Sequence, residues 1–115
     1  MSNPTNSNGI FLSDEVLADD ALTINAKVIY AILNREIRSG RTIEEITKTE
    51  LAERTGLSAK TIQRTNKELR NKGCLPIRRI AVSHRNRNGI LLEDEFLADV
   101  NLSLEAKVIY RIIVR

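Results

Sequence analysis

Apolar residues in this 115-residue chain recur with two different periods. From Thr23 to Arg38 the period is helical: Ala26, Ile29, Tyr30, Leu33 and Ile37 form one stripe, and Ile24, Val28 and Ile32 form a second beside it. Only Lys27, Asn34 and Arg38, with their flanks, are left to face water, and Ser39-Gly40 supplies a stop. Short apolar runs at Gly9-Ile10-Phe11-Leu12, at Ile77 to Val82 and at Ile90-Leu91-Leu92 read instead as strands. Residues 1–8 carry nothing to bury and read as a flexible tail. Ser13 to Asp20 reads as an acidic turn with at most one turn of helix, and residues 41–46 as a connector that could hold a short strand. Two stripes on one helix need two covers, and an oligomer interface is the economical candidate for the second.

The stretch Thr47–Gly73 has a different pattern. Thr47 and Glu50 have capping-box spacing, which predicts that the Thr47 hydroxyl accepts the Glu50 N–H while the Glu50 carboxylate reaches back to the Thr47 N–H. Gly56 permits the left-handed backbone of a sharp turn, Leu57 plugs it, and Ser58 caps the next helix. On that helix Ile62 and Leu69 face inward, while Lys60, Gln63, Arg64, Lys67 and Arg70 face out. Small Ala52, then Gly56, then Ile62 is the spacing of a DNA-binding helix-turn-helix: Ala52 must be small where the second helix crosses it, and Ile62 locks the pair. After Gly73, the strand 77–82, the polar tip Ser83 to Gly89 and the returning strand 90–92 make a basic hairpin, placed where a winged helix carries its wing. The fold class is therefore mainly α with a small β-wing, a winged helix-turn-helix over residues 9–92.

Charge strengthens that picture. The net charge is only +3, yet residues 57–88 hold nine cations and the single acid Glu68. A basic block on one contiguous module is an electrostatic footprint for phosphate. Aromatic residues make up 3% of the chain, which argues against stacking single-stranded bases on aromatic platforms.

Residues 6–35 and 86–115 align at an offset of 80 without a gap, and the shared segments include Asn-x-Asn-Gly-Ile, Asp-Glu-x-x-Leu-Ala-Asp and Ala-Lys-Val-Ile-Tyr. This is a duplication. The second copy, residues 89–115 against 9–35, stops at the equivalent of Arg35, before any second helix-turn-helix. Either the chain is part of a tandem protein or it ends in an orphan strand and helix. A helix of roughly 13 residues is marginal alone in water. It must bury Ala106, Ile109, Tyr110 and Ile113, and the broad surface of the first helix, in the same or a neighbouring molecule, is its mate. The expectation is a homodimer built from these related helices, with 89–115 as the dimerising or exchanged segment.

From Leu22-Thr23-Ile24-Asn25-Ala26-Lys27-Val28-Ile29-Tyr30 into the helix-turn-helix, the chain resembles the winged-helix domains of phage and plasmid replication-initiation proteins, including DnaD-like N-terminal modules. The resemblance implies double-stranded DNA binding at origins on mobile elements. It implies a base-facing surface of Ser58, Ala59, Lys60, Thr61, Gln63, Arg64 and Lys67, with Arg85 and Arg87 on the wing. Between Ile62 and Leu69 the family carries an apolar residue where this chain has Thr65-Asn66, which places Asn66 on the inner stripe.

Other chemistries find little support. Tyr30 and Tyr110 lie on apolar stripes and read as packing residues rather than nucleophiles of a DNA-nicking enzyme. His84 is the single histidine, and one histidine makes no metal site. The acidic runs at 14–20 and 93–99 lack EF-hand spacing, and no P-loop or nucleophile–base arrangement exists, so no enzyme, metal or cofactor is expected. Cys74 is alone, the N-terminus is not a signal peptide and no apolar run reaches ~18 residues, which together predict a cytoplasmic protein without a membrane span. The sequence leads to a sequence-specific DNA-binding protein of a plasmid, phage or conjugative element, acting in replication initiation or transfer. The alternatives are a transcriptional repressor of the same fold and an interaction module that recruits a helicase or relaxase.

Overall fold

The computed structural model describes residues 9–73 and 88–114. The expected tail at 1–8, the strand at 77–82, the hairpin tip with His84, Arg85 and Arg87, and Cys74 lie outside the described residues.

Strand β1 (Gly9–Ser13) alternates as its sequence requires, with Ile10 and Leu12 buried and Phe11 on the opposite face. Its partner is β2 (Gly89–Glu93), antiparallel, with Gly9 opposite Glu93, Phe11 opposite Leu91 and Ser13 opposite Gly89. Residues 11 and 91 are equivalent positions of the duplication, so this register places a local two-fold axis between them. The strand expected to return from a wing thus finds its described partner 80 residues earlier in the chain, in the other copy of itself. An antiparallel pair of duplicated strands satisfies both apolar faces at once, because Ile10, Leu12, Ile90 and Leu92 all fall on the buried side.

Each strand runs into a single helical turn, α1 (Asp14–Leu17) after β1 and α5 (Asp94–Leu97) after β2. Each then leads, through an acidic turn, to a long helix. The first copy gives α2 (Ile24–Arg38) and the second gives α6 (Leu104–Val114). Between the two copies lie helices α3 (Lys48–Thr55) and α4 (Ala59–Asn71). The two copies share their details. Asp19 Oδ1 accepts the Ala21 N–H at 2.8 Å, and Asp99 Oδ1 accepts the Asn101 N–H at 2.9 Å. The hydroxyls of Thr23 and Ser103 cap α2 and α6 by accepting the Ala26 and Ala106 N–H groups.

Lys27, expected in water, is buried, and its ammonium donates to the Leu17 carbonyl at 2.8 Å. Lys107 repeats the contact with Leu97, and burial pushes its pKa below the ordinary lysine value, opposed by the charge of Asp99. Each lysine fastens its long helix to its one-turn helix by satisfying a carbonyl at that helix's end.

Helix α2 is the hub. It packs against β1, α4 and α6. Ala26, Val28, Ile29 and Ile32 have no exposed surface, and each branched side chain among them stabilises the fold by about 1.5–3 kcal/mol. The second apolar stripe, for which an oligomer was the economical cover, is therefore buried within the chain. Ile43–Glu45 forms a 3-10 turn instead of a strand, fixed by the Glu45 carboxylate, which accepts the Thr42 N–H at 2.8 Å. Among the described residues no helix is long and apolar enough to cross a membrane.

The glycines at the strand ends are needed for close approach. A Cβ on Gly89 would lie 2.2 Å from the Leu12 carbonyl oxygen, and one on Gly9 would lie 2.3 Å from that of Leu92. Replacing glycine by alanine at a permissive site stabilises by about 0.4–1 kcal/mol. Here Gly89→Ala is expected to do the reverse, lowering stability by about 2 kcal/mol or more. Thermal unfolding followed by circular dichroism checks this, and an unchanged midpoint would rule out so close an approach of the strands.

Candidate nucleic-acid interface

Helices α3 and α4 are joined by the short turn that the Gly56-Leu57-Ser58 sequence predicts. The Thr47 hydroxyl accepts the Glu50 N–H at 3.0 Å and starts α3. Gly56 ends it in the left-handed conformation (φ +76°, ψ +5°) and donates its N–H to the Ala52 carbonyl at 2.8 Å. Thr55 is buried in the turn, its hydroxyl donating to the Leu51 carbonyl at 2.7 Å and accepting the Leu57 N–H at 3.2 Å. Leu51, Ile62 and Leu69 face the core, and α4 packs on both α3 and α2.

The other half of the capping box is replaced by something larger. The Glu50 carboxylate is taken by Arg41 at 2.7 and 2.8 Å and by Arg54 at 3.4 Å. Arg41 and Arg54 also hold Glu36, at 3.1 and 3.0 Å, and Arg54 lies 3.9 Å from Asp94, which Arg35 meets at 3.3 Å. This network joins the end of α2, the whole of α3 and the start of α5. It fixes the helix pair against both copies of the duplication, through contacts that range from the i,i+4 pair of Glu50 and Arg54 to Arg35 and Asp94, 59 positions apart. The Arg41 hydrogen bond holds the Glu50 carboxyl below its ordinary value. Burial alone would raise Glu36, but the hydrogen bonds and charges of Arg41 and Arg54 outweigh it and leave Glu36 lowered too.

The N-cap of α4 is Ser58, whose oxygen accepts the Thr61 N–H at 3.2 Å and whose hydroxyl donates to Thr61 Oγ1 at 3.0 Å. Beyond it Lys60, Gln63, Arg64 and Lys67 are exposed at spacings of 0, 3, 4 and 7, which is one face of a helix. Ala59 is exposed and Thr61 half-buried. Arg70 and Lys72 extend the same basic end and are also exposed, and the charge block alone was signal enough to include them. Among the described residues, none of Lys60, Arg64, Lys67, Arg70 and Lys72 lies within ion-pair distance of a carboxylate, unlike Arg35, Arg41 and Arg54. Their field is directed outward.

Glu68, the one acid of the block, is turned away from it. Its two carboxylate oxygens accept the Thr23 N–H and the Thr23 hydroxyl, each at 2.9 Å. The only negative charge on α4 thus clamps the start of α2, 45 residues away, and sets the angle of α4.

Thr65, not Asn66, fills the inner stripe between Ile62 and Leu69, with its hydroxyl satisfied by the Thr61 carbonyl at 2.8 Å. Asn66 is half-buried, and its Oδ1 is buried without a hydrogen-bond partner among the described residues. So α4 keeps the orientation that turns Lys60, Gln63, Arg64 and Lys67 outward. Arg85 and Arg87, the expected wing contacts, lie outside the described residues.

The turn at Gly56 touches the second copy. A Cβ there would meet Val100 Cγ1 at 3.6 Å and the Asp99 carbonyl at 3.7 Å. This places the acidic turn of the second copy beside the helix pair. Among the described residues, no group of three or more His, Cys, Asp and Glu side chains is placed to hold a metal ion. Comparison of the chain with protein-family models, with curated proteins and with solved structures returns no match.

Glu36 and Glu50 titrate lower when folded than their ordinary value of 4.5, so their contribution is complete above that value and is lost as pH falls through the lowered values. The double variant Glu36→Gln/Glu50→Gln is expected to flatten the decline in stability below about pH 4.5. Urea midpoints measured across that range test it, and parallel curves for the two proteins would exclude the network as its source. Separately, Asn66→Leu removes a buried, unpaired oxygen and is expected to raise stability by about 1 kcal/mol. A loss of stability would mean that the Asn66 carboxamide has a partner.

Proposed function

We propose that the protein binds double-stranded DNA with α4 in the major groove and acts, without catalysing a reaction, at an origin of replication or transfer of a mobile element. One observation carries the reading. The second helix of a helix-turn-helix presents Lys60, Gln63, Arg64 and Lys67 on a single exposed face, with no carboxylate paired to its cations among the described residues. A helix of 13 residues is about 20 Å long, and the major groove is about 12 Å wide, so the face from Lys60 to Lys67 fits within one groove crossing. Gln63 and Arg64 carry the bidentate groups suited to adenine and guanine edges, and Lys60, on the same exposed face, would read a neighbouring base. Lys67, as a point charge, fixes a phosphate. The clamp of Glu68 on Thr23 removes the only acid from this face and so favours an anionic partner. Arg85 and Arg87 belong to the same basic block and would hold the adjacent backbone. The origin-linked role rests on the resemblance to replication-initiation modules, and the location of the bound sites separates it from repression at a promoter.

Selection of bound fragments from a random DNA library should return a defined motif. Arg64→Ala and Gln63→Ala are expected to relax preference at particular positions, by about 1–3 kcal/mol for each bidentate pairing with a base. Arg85→Ala/Arg87→Ala should weaken binding to all sequences and reduce the slope of log K against log salt by roughly 0.9 for each phosphate no longer neutralised. No selected motif, together with affinity indifferent to all four substitutions, would refute the proposal.

A further inference from the structure

The local two-fold makes a direct comparison possible between α2 and α6. In the first copy Ala26, Ile29 and Leu33, on the helix that packs against α4, are buried with at most 2% of their surface exposed, and Leu22 is half-buried. Their equivalents at an offset of 80 are Leu102, Ala106, Ile109 and Ile113. There Leu102 is 42% exposed, Ile109 54% and Ile113 75%. Ile112 and Val114 enlarge the surface left uncovered among the described residues, and Tyr110, beside the Phe96 ring, is partly exposed next to it. The four positions are spaced by 4, 3 and 4 residues, the seam that a second helix packs against. An apolar patch of this continuity marks an interaction site.

We propose that this face of α6 seats a second helix pair of the α3–α4 kind, supplied by a polypeptide segment other than residues 1–115. The first copy shows what covers this surface: a helix pair whose Leu51, Ile62 and Leu69 share one buried cluster with Ala26, Ile29 and Leu33, with α4 packed on α2. The chain's own α3–α4 pair is already seated on α2 and cannot cover both helices. The symmetry also specifies the polar chemistry of the occupant. At the start of α2 the N–H and hydroxyl of Thr23 are taken by Glu68, one residue before the inward Leu69. Ser103 stands at the same place on α6 and is exposed. The occupant therefore carries a carboxylate immediately before its inner leucine, aimed at Ser103, and its turn lies against Asp19-Asp20 as Gly56 lies against Asp99-Val100.

The test appends a second copy of residues 36–73 directly after Arg115, so that it follows α6 as the original follows α2. Intramolecular attachment supplies the pair at millimolar effective concentration. Relative to the natural chain, the extended protein should unfold at a midpoint higher by roughly 5 °C or more. It should also lose most of its binding of an apolar fluorescent dye and protect the α6 amides from hydrogen exchange by about tenfold or more. Ile109→Glu/Ile113→Glu in the extended protein should cancel all three gains; both positions are exposed in the natural chain, so the same variant there should keep its helical signal. Changing the appended counterpart of Glu68 to alanine should reduce the gains in part. Extension without them, or gains that survive Ile109→Glu/Ile113→Glu, would overturn the proposal. So would a natural chain that sediments as a dimer dissociated by Ile113→Glu, since the occupant would then be a second copy. None of these readouts depends on DNA.

Discussion

The pairing of β1 with β2 about the point where Phe11 meets Leu91 is the contact on which the rest of the molecule depends. It joins residues 80 positions apart, and with it every later element acquires its place. The one-turn helices α1 and α5 both touch the two strands, and α2 and α6 pack on their own strands and on each other. A sheet of two strands is marginal by itself. It is secure here because the same register that pairs the backbone places Ile10, Leu12, Ile90 and Leu92 together beneath the long helices. Close approach of Gly9 and Gly89 to the opposite backbone fixes that register at both ends.

The symmetry is broken by one inserted element. The α3–α4 pair follows α2 and covers it, while α6 has no such cover among the described residues. What holds the pair in place is largely polar. Glu68 reaches the start of α2, and Arg41 and Arg54 bind Glu36 near its end together with Glu50 on α3. Partly exposed pairs of this kind stabilise modestly when isolated, but several charges sharing partners form a network of fixed geometry. Its consequence is orientation: with both ends of α2 tied to the pair, α4 is held against rolling, and its exposed cations stay on the outer face.

Carboxylates and cations are thereby sorted by role. Arg35, Arg41 and Arg54 have acid partners and serve the fold, whereas Lys60, Arg64, Lys67, Arg70 and Lys72 have none among the described residues. Composition alone reports only a small positive total. The division between neutralised and outward-facing charge leaves the α4 surface with an outward positive field.

Much of this was legible in the chain by itself. Periodicity located α2 and α4, Thr23, Thr47 and Ser58 marked the helix starts, and Gly56 marked the turn, because these signals act within a few residues and the backbone physics behind them is local. The offset of 80 revealed the duplication. The outward face of α4 followed from where Ile62 and Leu69 point. Tertiary structure alone decided the rest. It paired the duplicated strands with each other, buried Lys27 and Lys107 under carbonyl partners, put Thr65 rather than Asn66 inside, and drew Glu50 from its capping box to Arg41. The paired strands lie 80 positions apart at their centre, and each lysine meets a carbonyl 10 positions back; a pattern of neighbouring residues records which side of a helix is apolar but not what will arrive to cover it.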